Sequence, residues 1–134
     1  MSEDETRKPV LVVDDDRELA SMVRRYLEHH GWVVEVAHDG VEALEACVRA
    51  RPCFVLADLM MPHMDGEELV TALRMQMGSE MPPVCLVSAS PLRNEIARRL
   101  GLPATLEKPF VLDDVRDLAA RFASLHRDRT SSMH

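Results

Sequence analysis

The sequence predicts one doubly wound α/β domain built on a parallel sheet. Two observations carry that prediction: short apolar runs without polar alternation, and helix-period segments regularly interposed between them. Continuous apolarity marks a strand covered on both faces, the condition of a parallel sheet flanked by helices. Val10-Leu11-Val12-Val13 is the first such run. Leu19, Met22, Val23, Tyr26 and Leu27 then form a helical stripe, and Gly31 is placed to stop that helix. Val33 to Ala37 is a second strand, and Glu35 in its middle suits an edge position. Val41, Leu44 and Val48 mark the second helix, Cys53 to Ala57 the third strand, and Leu69, Leu73 and Met77 the third helix. Val84 to Val87 is the fourth strand, with a short helix after it around Ile96 and Leu100. Ala104-Thr105-Leu106 is a weaker fifth strand, and Val115, Leu118, Phe122 and Leu125 mark the last helix. The order is βαβαβαβαβα, which predicts right-handed crossovers. The domain is expected over residues 9–125, with flexible polar tails at 1–8 and 126–134.

Composition narrows the function classes. The 134 residues are 46% hydrophobic, enough for one core, and the aromatic content of 4% makes that core aliphatic. Sixteen Lys and Arg against 23 Asp and Glu give a net charge of −7, which argues against direct nucleic-acid binding. No apolar run is long enough to span a bilayer, and the opening residues are acidic where a signal peptide is basic, so the expected location is the cytoplasm with no membrane partner. Cys47, Cys53 and Cys85 are odd in number and lack metal-ligand spacing, which suits reduced, buried thiols.

The polar residues that end each apolar run carry the chemistry. Val13 leads into Asp14-Asp15-Asp16, Ala57 into Asp58, Val87 into Ser88, and Leu106-Glu107 into Lys108. In a parallel sheet these strand ends open on one edge, where α/β folds bind ligands. Each acid taken alone is as well explained by a turn or cap, and Asp16 reads better as an N-cap than as a ligand. Together, three carboxylates with one ammonium leave a charge of about −2, which a hard cation neutralises; Mg²⁺ fits, held by one or two carboxylates and completed by water and phosphate oxygens. An Asp in such a site can act as a nucleophile toward phosphorus.

Val12-Val13-Asp14-Asp15-Asp16, the loop Asp58-Leu-Met-Met-Pro-His-Met-Asp-Gly66, Val87-Ser88-Ala89 and Glu107-Lys108-Pro109-Phe110 together resemble the receiver domain of two-component response regulators. The resemblance spans nearly the whole chain, about residues 9 to 125. It implies a flavodoxin-like (βα)5 fold with strand order 2-1-3-4-5 and the Asp58 strand in the middle. Lys108 would then start about 10 Å from Asp58 at the backbone, a gap only a long cation spans.

The resemblance also implies roles. Asp58 would be the phosphoacceptor, taking a phosphoryl group from a histidine of a sensor kinase or phosphotransfer protein. Asp15 and Asp58 would hold Mg²⁺ with the main-chain carbonyl of Met60, and Asp14 would act through water. Lys108 would pair with the phosphoryl oxygens and the Ser88 hydroxyl would donate to one of them, shifting the surface around the fourth helix and fifth strand toward a downstream protein target. Pro109 would follow a cis peptide, and Asp65-Gly66 would form the turn into the third helix. Met60 and Ser90 would flank the phosphoryl group, with Met60 hindering attack by water. The expected product is a phosphorylated signalling domain, not a turnover enzyme.

Two departures bear on the output face. Thr105 stands where the family usually carries a Tyr or Phe, and only 20 residues separate Ser88 from Lys108, so the fourth helix must be short. A pseudo-receiver acting as a phosphorylation-independent interaction module is the alternative these departures allow. A haloacid-dehalogenase-type phosphohydrolase using Asp14, Asp16, Ser88, Lys108 and Asp113-Asp114 fits poorly, because the last pair opens a helix and the Asp58 loop goes unexplained. Stand-alone receiver and fragment of a longer regulator are both consistent with these residues.

Overall fold

A computed structural model describes residues 8–131, with side chains through Phe122. The elements are β1 (Val10–Val13), α1 (Arg17–His29), β2 (Val34–Ala37), α2 (Gly40–Ala50), β3 (Phe54–Asp58), α3 (Gly66–Met77), β4 (Val84–Ser88), α4 (Arg93–Leu100), β5 (Ala104–Glu107) and α5 (Leu112–Ser131), with one 3₁₀ turn (Gly78–Glu80) after α3. The five strands form one sheet in the order β2-β1-β3-β4-β5, and every neighbouring pair is parallel. The fold class is therefore the one the sequence predicts and the strand order the one the resemblance implies, and the Glu35-bearing strand lies at an edge.

Alternate residues of each central strand feed opposite layers. Val10, Val12, Phe54, Leu56, Cys85 and Val87 pack under α1 and α5, against Val23, Leu27, Val115 and Phe122. Leu11, Val13, Val55, Ala57, Val84 and Leu86 face the other way, onto α2 and α3 through Ala43, Cys47, Leu69, Val70 and Leu73. The rings of Phe54 and Phe122 stack with centroids 5.9 Å apart. All three cysteines are buried, as expected for thiols in apolar surroundings.

Caps set where the helices begin. Asp16 accepts a hydrogen bond from the Leu19 N–H at 3.1 Å, so it is the N-cap of α1. Asp65 and Glu68 form a reciprocal capping box at α3, and Asp39 caps α2 through the Glu42 N–H. Gly31, with φ of +91°, lies just beyond the end of α1, where a left-handed residue lets the chain turn into β2.

Three expectations need correction. Val41 and Val48 do not face the core: both are exposed, and α2 buries Ala43, Ala46 and Cys47 instead. In α1 Met22 is exposed and Ala20 takes the buried position. α2 turns only small residues fully toward the sheet, whereas α1 buries Val23 and Leu27 beside Ala20. The last helix continues through Ser131, past the expected end of the domain at 125. The Leu125 side chain, residues 1–7 and residues 132–134 lie outside the described part of the molecule.

Candidate functional site

Four strand ends meet at the carboxyl edge of the sheet. Asp58 is the last residue of β3 and pairs in register with Val87, so Ser88 emerges one residue further along the neighbouring strand. Ser88 in turn pairs with Glu107, which places Lys108 just beyond the end of β5. Asp14 follows β1 directly, and its N–H donates to the Ala37 carbonyl at 3.1 Å, extending the pairing of β1 with β2. Asp14, Asp58 and Ser88 are the buried polar side chains among the described residues, and all three lie at this end of the sheet.

Lys108 spans the distance to the middle of the sheet. Its Nζ lies 3.1 Å from Asp14 Oδ2 and 3.3 Å from Asp58 Oδ2. The remaining oxygens are held by main chain: Asp14 Oδ1 accepts from the Asp16 N–H at 2.9 Å, and Asp58 Oδ1 from the Met60 N–H at 3.1 Å. The Asp14 carbonyl faces His38 Nδ1 at 3.2 Å. Ser88 Oγ accepts from the Ser90 N–H at 3.0 Å, and the Lys108 N–H donates to the Ser88 carbonyl at 3.1 Å. The Lys108–Pro109 peptide is cis, as the resemblance implies.

The electrostatics follow from crowding two carboxylates out of water. Burial, reinforced by the negative charge of Asp14, pushes the Asp58 carboxyl up to about 6, against the opposing pull of Lys108 and the Met60 N–H. Burial pulls Lys108 down, but Asp58 and Asp14 outweigh it and leave its pKa raised. The ammonium is thus firmly charged beside a carboxylate that one cation does not fully compensate.

The residues fit a hard divalent ion. Asp14, Asp15 and Asp58 each offer a carboxylate oxygen, all within 4.8 Å of one another, and Asp15 is exposed toward solvent. An all-oxygen, anionic donor set open to water suits Mg²⁺, which keeps part of its hydration shell. Met60 places its N–H on Asp58 and leaves its side chain exposed.

The loop from β3 to α3 is fixed by close approach. The Gly66 N–H donates to the Leu59 carbonyl at 2.9 Å, and a Cβ on Gly66 would sit 2.8 Å from the Asp58 carbonyl oxygen and 2.9 Å from Leu59 Cα. Only glycine lets the start of α3 lie against the end of β3. His63, in the same loop, is exposed, with φ of +70°.

Sequence reasoning missed a second layer beside the site. The Arg93 guanidinium, in the first turn of α4, donates to the Ser90 carbonyl at 3.0 Å and pairs with Glu107 at 3.4 Å. The Thr105 hydroxyl hydrogen-bonds the Asn94 side-chain oxygen. Glu107 stands beside Lys108 in the sequence, but no spacing rule announces Arg93 or Asn94 as neighbours of β5.

Comparisons with known proteins agree with this geometry. The response regulator receiver domain family model matches residues 10–120. The response regulator MprA of Mycobacterium ulcerans is 40% identical over 119 residues, 88% of this chain and 50% of the relative. MprA of Mycobacterium sp. strain KMS is 41% identical over 123 residues, 91% of this chain and 51% of that protein. The chain thus spans about half the length of the curated relatives it matches. Among solved structures, the Vibrio cholerae chemotaxis protein CheY4 superposes with a TM-score of 0.78 at 33% identity, covering 87% of this chain and 98% of that one. A Bermanella marisrubri signal receiver domain gives 0.78 at 32%, with the same coverage. With its sheet order, its acidic rim and a family match across most of its length, the chain belongs to the response regulator receiver domain family of two-component signalling.

Proposed function

We propose that this domain accepts a phosphoryl group on Asp58 from a phosphohistidine of a sensor kinase or phosphotransfer protein, in a Mg²⁺-dependent reaction in the cytoplasm, and passes the signal on by protein–protein contact. The observation that carries this reading is the position of Lys108, whose ammonium reaches both Asp58 and Asp14 across the β4 strand. A carboxylate oxygen of Asp58 attacks phosphorus, the P–N bond to the donor imidazole breaks, and the imidazole leaves with the electron pair. Phosphoryl transfer asks mainly for positioning and for charge near the equatorial oxygens. Lys108 supplies one such charge from this chain.

Asp15 and Asp58 would hold Mg²⁺ together with the Met60 main-chain carbonyl, with Asp14 acting through water. Bound there, Mg²⁺ would offset charge on the transferring group. Met60 has its N–H on Asp58, so the residue assigned to the metal by its carbonyl also orients the nucleophile. The Ser88 hydroxyl accepts from Ser90 and keeps its proton available for a phosphoryl oxygen. Among the described residues, no helix is long and apolar enough to cross a membrane.

The test is intact-mass measurement after incubation with acetyl phosphate and Mg²⁺. The wild type gains one phosphate, and Asp58→Asn gains none. No gain in the wild type would favour the phosphorylation-independent module, and repeated turnover of a generic phosphomonoester would favour a hydrolase.

A further inference from the structure

We infer that Arg93, outside the site itself, transmits movement of the site's Ser88 and Lys108 arms to α4, in place of an aromatic side chain at position 105. The inference rests on the phosphoacceptor reading above. Its structural basis is a closed circuit of contacts. Ser88 Oγ holds the Ser90 N–H at 3.0 Å, and the Ser90 carbonyl holds an Arg93 guanidinium nitrogen at 3.0 Å. The other guanidinium arm reaches Glu107 at 3.4 Å; Glu107 is bonded in sequence to Lys108, and the Lys108 N–H returns to the Ser88 carbonyl at 3.1 Å.

Three features make this circuit a coupling device and not merely a surface ion pair. The Arg93 side chain is only 15% exposed, so its hold on the Ser90 carbonyl is shielded from solvent, while its Glu107 partner is open to it at 64%. Its Nε is buried with no hydrogen-bond partner, a donor that a shift of the loop can satisfy. The residue after it, Asn94, is bonded through its side chain to Thr105, the middle of β5. Drawing the Ser88 hydroxyl toward a phosphoryl group pulls on the Ser90 peptide and through it on Arg93. The α4–β5 junction then moves with the guanidinium, and the exposed Asn94–Thr105 contact is the readout.

The experiment is amide NMR on the full chain with Mg²⁺, before and after adding beryllofluoride as the phosphoryl mimic. In the wild type, resonances of Asp58 and Ser88 shift together with those of Asn94 and Thr105. In Arg93→Met, the shifts at Asp58 and Ser88 persist and acetyl phosphate still adds one phosphate, while the shifts at Asn94 and Thr105 fall to less than half. Arg93→Lys, which keeps the charge without the two-armed reach, restores part of the response, and Glu107→Gln weakens it from the other side of the circuit. Undiminished shifts at Asn94 and Thr105 in both Arg93→Met and Glu107→Gln would overturn the inference. Absence of any shift at Asp58 in the wild type would instead overturn the phosphoacceptor reading and take the coupling with it.

Discussion

Lys108 Nζ lies 3.3 Å from Asp58 Oδ2, although β4 separates the strands that carry them. The same ammonium touches Asp14, so one internal cation occupies the space between two buried carboxylates. It is therefore both a partner to these oxygens and a competitor for any divalent ion that binds them.

Removing that cation separates the two effects. Lys108→Met leaves two buried carboxylates facing each other, and the metal-free protein should lose about 1–3 kcal/mol of stability at pH 8, less than a fully buried pair because Lys108 is partly exposed. Mg²⁺ should recover more stability in the variant than in the wild type. Urea unfolding with and without Mg²⁺ measures both, and equal Mg²⁺ effects in the two proteins would refute the competition.

Asp58 makes stability depend on pH. Its folded-state pKa of about 6 lies above the ordinary 3.8, so between these values the folded protein holds more protons than the unfolded chain. Stability conferred by the neutral form is present at low pH and is lost as pH rises through 6. At pH 8 without divalent ions the cost is on the order of 2–3 kcal/mol. Asp58→Asn should therefore be the more stable protein at pH 8, with the difference shrinking toward zero near pH 4. Denaturant titrations at the two pH values test the sign.

Gly66 guards the geometry of the strand end that carries Asp58. Gly66→Ala puts a methyl 2.8 Å from the Asp58 carbonyl and 2.9 Å from Leu59 Cα, backbone atoms that cannot step aside. A loss of about 2–3 kcal/mol in thermal or urea unfolding is expected. Phosphorylation by acetyl phosphate should slow in the same variant.

Met60 presents an apolar side chain two residues after Asp58 and is 68% exposed. A bulky thioether flanking a phosphoryl group on Asp58, as the proposal has it, would exclude water from in-line attack. Met60→Asn and Met60→Glu should shorten the lifetime of the phosphorylated form, monitored as loss of the added mass with time. An unchanged lifetime would remove Met60 from this role.

Strands and site spacing are legible because they depend on features a sequence displays directly. Continuous runs such as Val84 to Val87 announce burial on both faces, and Asp14, Asp58, Ser88 and Lys108 each come at the end of a run, so topology alone sends them to one edge. Helix faces are less legible. Val41 and Val48 outrank Ala43 and Ala46 in hydrophobicity, yet the close packing of α2 on the sheet favours the smaller side chains. The Arg93–Glu107 and Asn94–Thr105 contacts are not legible, because they join residues 14 and 11 apart through a loop whose path no local propensity specifies.

The most direct test of the central claim is to locate the phosphoryl group. After phosphorylation with acetyl phosphate and Mg²⁺, borohydride reduction converts an aspartyl phosphate to homoserine, and peptide mass spectrometry identifies the position. Homoserine is expected at position 58 alone, and only when Mg²⁺ is present. Conversion at Asp14 or Asp15, or none at all in the folded wild type, would contradict the assignment of Asp58 as phosphoacceptor.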